Sequence, residues 1–135
     1  MGKLAHGAVL LAALALAACA GGNKADEPDP NIFPADYKKE IILTLQNTLD
    51  DATNIRDAGI TEPALRTVGK EQRYAVCVRH NSRDQNRQYT GVTTDIAIFF
   101  AGRLNQLVSA PEQCGKADYK PFPELEQICY AARCN

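Results

Sequence analysis

Arg73-Tyr74-Ala75-Val76-Cys77-Val78-Arg79 (RYAVCVR) and Asp95-Ile96-Ala97-Ile98-Phe99-Phe100-Ala101 (DIAIFFA) decide the fold. Both alternate in the two-residue period of a strand, and both are apolar on the two faces. The first sets Tyr74, Val76 and Val78 against Ala75 and Cys77; the second sets Ile96, Ile98 and Phe100 against Ala97 and Phe99. Gly102-Arg103 then turns the chain into Leu104 to Val108, a hairpin signal. Residues 54–61 offer a further strand, held to an edge by Gly59 and the flanking Pro63.

Upstream, Tyr37, Ile41, Leu45 and Leu49 recur every four residues between Pro34 and Asp51, and Ile42 widens the stripe. That spacing predicts an amphipathic helix, with Pro34 suited to its first turn and Asp36 and Glu40 to its positive end. Together these segments predict an α+β domain: a helix over 34–51 laid on one side of a three- or four-stranded antiparallel sheet. The second face, expected to carry Ala97 and Phe99, needs a cover. The segment 111–135 holds Tyr119, Phe122, Leu125, Ile128 and Tyr130 for that task, and Pro123 can open a short final helix.

The chain has 135 residues, a formal net charge of −1 and five cysteines. Near-neutral charge without a basic tail argues against a nucleic-acid partner. The first eighteen residues stand apart. Met1-Gly2-Lys3 is a short positive start, and Ala8 to Ala18 (AVLLAALALAA) is apolar throughout but only about half of the roughly 20 residues a membrane-spanning helix needs. This is the shape of a signal peptide. Leu16-Ala17-Ala18-Cys19 resembles the lipobox of bacterial lipoproteins. The resemblance implies cleavage before Cys19 and a membrane-lipid anchor on its sulfur, with two or three acyl chains giving stable attachment. Ala20 lacks the aspartate that marks inner-membrane retention, so the expected location is the periplasmic face of the outer membrane. An ordinary signal cut near Ala18 would instead leave Cys19 as a free thiol. Removing 1–18 leaves 117 of the 135 residues: a lipidated cysteine and tether over 19–32 (AGGNKADEPDPN is rich in Gly, Pro and charge), then a single domain over 33–135.

Four cysteines remain for an oxidising compartment: Cys77, Cys114, Cys129 and Cys134. Of the three connectivities the preferred one joins Cys77 to Cys114 and Cys129 to Cys134, stapling the carboxy-terminal segment; linkage of Cys77 to Cys129 or Cys134 would give a different topology.

Chemistry-bearing motifs are scarce. No Gly-x-Ser-x-Gly, His-Glu-x-x-His, Walker or Gly-x-Gly-x-x-Gly spacing occurs, and the domain holds one histidine, His80. Cys77-x-x-His80 could contribute to a zinc site, but its spacing fits no standard module and disulfide pairing competes. Asp50-Asp51 and Glu124 with Glu126 sit at helix ends, where carboxylates favour the dipole. No catalytic residue, metal or cofactor is expected. The concentrated surface feature is 79–89 (RHNSRDQNRQY), read as a connection between the two best strands. Arg79, His80, Arg83, Arg87 and Tyr89 form its candidate binding surface, since arginine forks suit phosphate and carboxylate groups.

The body also resembles uncharacterised small envelope lipoproteins of alphaproteobacteria. The resemblance runs over residues 33–125, through 45–51, Tyr74-Ala75-Val76-Cys77-Val78, Tyr89-Thr90-Gly91 and Ile98-Phe99-Phe100-Ala101-Gly102. It carries no activity with it. The expected function is non-enzymatic: binding an unknown envelope protein or anionic envelope component, or supporting envelope assembly as barrel-assembly accessory lipoproteins do. The alternative is an inhibitor or immunity-type module that inserts the 80–91 segment into a cell-wall hydrolase.

Overall fold

The computed structural model describes Gly2 and residues 26–129. Apart from Gly2, the expected signal peptide over 1–18 lies outside the described residues, as do Cys19 and Cys134. Helix α1 spans Tyr37–Thr48. It is followed by β1 (Asp51–Ile60), β2 (Ala64–Val68), β3 (Glu71–Arg83), β4 (Tyr89–Phe100) and β5 (Arg103–Ser109). The carboxy-terminal segment contributes α2 (Pro111–Cys114), the two-residue strand β6 (Lys120–Pro121) and α3 (Pro123–Glu126).

The fold is α+β, and its antiparallel sheet has six strands in the order β5-β4-β3-β1-β6, with β2 also paired to β3. It is larger than the three or four strands expected. The extra strands come from the flank of β3 opposite β4. There β1 runs along residues 78–83, bends at Thr61-Glu62-Pro63, and continues as β2 along 71–75. Strand β1 lies between β3 and the two-residue β6, which pairs with it only at Gly59 and Ile60, so most of its outer flank is an edge, as expected. Its alternation is obscured by two register shifts, accompanied by left-handed backbone at Asn54 (φ 54°) and Asp57 (φ 55°). Asparagine and aspartate tolerate that region better than most residues.

Tight turns connect the meander. Gly69 (φ 64°) opens the two-residue turn between β2 and β3. Ala101 and Gly102 (φ 49° and 78°) form the one between β4 and β5, where two successive positive φ values match the right-handed twist of the strands.

Facing residues in the ladder fix the two sheet surfaces. Val76 pairs with Ala97 and Cys77 with Ile96, so Ala97 and Phe99 share the helix side with Val76 and Val78, whereas Ile96 and Ile98 lie with Ala75 and Cys77. The expected assignment of Ala97 and Phe99 to the second face is thus reversed. One core, built on Ile41, Leu45, Val76, Val78 and Phe99, lies beneath α1. Burying each such side chain contributes roughly 1.5–3 kcal/mol. A smaller core on the other face joins Ala75, Cys77, Ile96 and Ile98 to Ala110 and Cys114.

The carboxy-terminal segment serves both cores. Residues 110–119 cover the second face, and the Cys77–Cys114 disulfide fixes α2 to the central strand (Cα–Cα 5.5 Å). The chain then rounds the β1 edge as β6, and Phe122, Leu125 and Ile128 return to the helix-side core. Cys129 is also disulfide-bonded; its expected partner, Cys134, lies outside the described residues.

Candidate anion-binding face

The segment read as a connection, 79–89, is largely strand. Residues 79–83 belong to β3 and Tyr89 to β4, leaving a tight turn over 84–88. The Asp84 carboxylate accepts hydrogen bonds from the backbone N–H groups of Asn86 (2.8 Å) and Gln88 (3.0 Å), and Arg87 stands at φ 60°. A hairpin this tightly bonded leaves no long loop over 80–91 to insert into a cleft.

Strand alternation then separates the five candidate residues. Arg79 and Arg83 project from the face that carries Cys77, and His80 projects from the other, beneath α1. His80 is 2% exposed. Its Nε2 lies 3.1 Å from Asp95 Oδ2 and 3.3 Å from Thr93 Oγ1, and its Nδ1 is buried with no hydrogen-bond partner. The imidazole lines a pocket of about 340 Å³ between the second half of α1 and the sheet, where Leu45, Leu49 and Leu107 stand beside Thr44, Thr48 and Ser82. It is therefore not on one surface with Arg79, Arg83, Arg87 and Tyr89, but lies buried on the opposite face of the sheet.

Arg83 is engaged structurally. Its Nη2 lies 2.7 Å from Asp51 Oδ2 and donates to Thr53 Oγ1 at 3.2 Å. Burial pushes the Asp51 carboxyl up, but hydrogen bonds from Thr53 and the Arg83 guanidinium outweigh it and hold the group below the usual carboxylate range. Arg87 is exposed at the turn.

Arg79 and Tyr89 remain, and the fold supplies each with a partner absent from the linear cluster. The Arg56 guanidinium stacks 4.2 Å from the centre of the Tyr89 ring, and the Tyr89 hydroxyl donates to the Asn54 carbonyl at 2.7 Å. Arg79 stacks 4.9 Å from the Tyr119 ring. Tyr119 is itself held by its hydroxyl donating to the Cys114 carbonyl at 2.6 Å, next to the disulfide. Burial raises the Tyr119 phenol pKa against the opposing pull of Arg79 and Arg66.

Register brings these pairs together. Arg56 is opposite Asn81 and Gly59 opposite Arg79, so Arg56 and Arg79 are diagonal neighbours on adjacent strands. Gly59 is required here: a Cβ would stand 2.8 Å from Arg79 Nε and 3.1 Å from Tyr119 Cβ. Both arginines are exposed, and neither has a carboxylate partner among the described residues. The acidic group held at this row is Asp57, which accepts from Asn81 Nδ2 at 3.5 Å.

Stacking on tyrosine orients a guanidinium and leaves its in-plane N–H donors open, the arrangement that suits carboxylate and phosphate oxygens. Arg56 and Tyr119 escaped the sequence reading because each lies far along the chain from 79–89, and Tyr119 reads there as an apolar cover. Among the described residues no cluster of three His, Cys, Asp or Glu side chains could hold a metal, and Cys77 is consumed by its disulfide. No protein-family model matches the chain, and no curated protein or solved structure is significantly similar to it.

Proposed function

We propose that the chain is a lipid-anchored module of the bacterial envelope, held by acylated Cys19 at the periplasmic face of the outer membrane. It binds an anionic envelope component through the Arg56–Arg79 face and catalyses no reaction. The observation that carries the binding role is the pair of exposed guanidiniums, each stacked on a tyrosine and lacking a carboxylate partner among the described residues. The anchor rests on Leu16-Ala17-Ala18-Cys19 after an apolar leader. The non-catalytic role rests on the sequence, in which none of the catalytic motifs named above occurs. A lipid anchor at the periplasmic face confines the domain beside peptidoglycan carboxylates and on the route of lipopolysaccharide phosphates in transit to the outer leaflet, the anions that such forks fit.

The test compares binding of lipopolysaccharide and of soluble muropeptides to the wild-type chain, to the double variant Arg56→Gln with Arg79→Gln, and to Arg87→Gln. Loss of about tenfold in the double variant, with Arg87→Gln unaffected, is the expected result. Equal affinities in all three proteins, or no binding of either ligand, would contradict the proposal. Palmitate labelling that disappears in Cys19→Ser tests the anchor separately.

A further inference from the structure

Residues 30–33 lead into α1 along the end of the sheet where β4 turns into β5. Ala101 N–H donates to the Pro30 carbonyl at 3.0 Å, and Ile32 packs so closely over Gly102 that a Cβ there would stand 3.1 Å from its Cγ2. The Phe33 ring meets the Tyr74 ring edge-on, centroids 5.4 Å apart, on the helix side of the sheet. On the disulfide side the Arg73 guanidinium lies 5.2 Å from the centre of the Phe100 ring. Ile32, Phe33 and Phe100 are nonetheless exposed, at 47%, 52% and 41%. Apolar side chains thus stand uncovered on both sides of one turn, at a tip of the domain.

The place of this tip in the chain decides what covers it. Pro30 stands eleven residues after Cys19, and eleven residues reach at most about 40 Å. Strand β3 alone, at 13 residues, is about as long. An anchor at Cys19 therefore brings the bilayer to this end of the sheet first, and the far end could meet it only with the intervening residues fully extended. Those residues, AGGNKADEPD over 20–29, hold no large apolar side chain that could cover the tip instead. Area argues against another folded protein: three half-exposed side chains offer roughly 300 Å², whereas a stable interface takes about 800 Å² from each partner. A tethered domain needs no such area, because its contact with the bilayer is intramolecular. Lys70, in the turn between β2 and β3, and Arg103, which pairs with Glu40, are exposed at the same end, within reach of lipid phosphates.

We infer that the tip formed by Ile32, Phe33 and Phe100 rests in the headgroup region of the phospholipid bilayer that holds the Cys19 acyl chains, the level at which aromatic side chains and amphipathic surfaces settle. The inference rests on the lipid anchor proposed above and adds an orientation to it. Strand β3 runs away from the membrane, and the turn over 84–88 points into the periplasm.

The chain contains no tryptophan, so Phe33→Trp and Phe100→Trp each place a single fluorescent reporter on the tip. Val92→Trp, exposed near the other end of β4, is the reference. Each chain is expressed at full length, purified from membranes and checked for acylation by palmitate labelling. It is then reconstituted in vesicles of phosphatidylethanolamine and phosphatidylglycerol with brominated acyl chains. The two tip reporters should lose about twofold in emission on entering the boundary between headgroups and acyl chains, while Val92→Trp keeps its own. Tip reporters quenched no more than Val92→Trp, in protein that carries palmitate, overturn the inference and leave the anchor standing; absence of palmitate overturns both. Emission that follows the protein-to-lipid ratio and ignores bromine overturns it in favour of a second copy. Should tryptophan perturb folding, broadening of the Ala101 and Gly102 amides of the wild-type chain by a headgroup nitroxide lipid reads the same contact, and unbroadened amides overturn it.

Discussion

Arg79 crosses the sheet directly over Gly59, so closely that a methyl group at 59 would stand 2.8 Å from its Nε. The arginine and the tyrosine it stacks on are held in place partly by what Gly59 lacks. Gly59→Ala should push the Arg79 side chain off Tyr119 while costing about 1 kcal/mol or less of stability, since the nearest clash is with a flexible side chain. Anion binding should fall although no charge has been removed. Chemical denaturation together with a binding isotherm checks both halves; unchanged binding would mean that the orientation of Arg79 is irrelevant.

The Cys77–Cys114 bond closes a loop with a sequence separation of 37 and sets the segment that supplies Tyr119. Replacing both cysteines with alanine should lower stability by about 3–4 kcal/mol on the chain-entropy account. It should also weaken anion binding through loss of the Tyr119 platform. Urea unfolding measures the first effect. A destabilisation below about 1 kcal/mol would show that α2 is held by packing alone.

Asp51 and Arg83 give the fold a defined acid sensitivity. The folded-state pKa of Asp51 lies below its ordinary value of 3.8, so folding favours the ionised carboxylate. Its contribution is present at neutral pH and is lost as the pH falls below 3.8 through the lower folded-state value. Asp51→Asn should therefore be less stable than wild type at neutral pH, with the difference narrowing in acid. Thermal melts from neutral pH down to about pH 2 measure it, and a gap that stays constant would rule the ion pair out.

Much of this fold is legible in the chain, and the gaps have physical causes. The alternation in 73–79 and 95–101 marks the two central strands, and the four-residue recurrence of Tyr37, Ile41 and Leu45 marks the helix stripe. Which face of one strand meets which face of the other depends on the turn between them. The Asp84-centred turn and the left-handed backbone at Arg87 set a register that periodicity alone does not contain. Strand β1 is hidden because Asn54, Asp57 and Gly59 interrupt its pattern, yet those interruptions are what let it bend and pass beneath Arg79. The site was half legible for a related reason. A run of polar residues in sequence looks like one surface, but strand geometry sends Arg79 and His80 to opposite faces and recruits Arg56 and Tyr119 from elsewhere.

The central claim is that Arg56 and Arg79 receive the anion. Its most direct test is an NMR titration of the side-chain Nε–H signals of all arginines with purified lipopolysaccharide and with soluble muropeptides at low salt. The account predicts saturable shifts at Arg56 and Arg79 with one of them, weakened by added salt, while Arg83, already bound to Asp51, stays in place. Saturable shifts centred on Arg87 or Arg103, or none at Arg56 and Arg79, would contradict it.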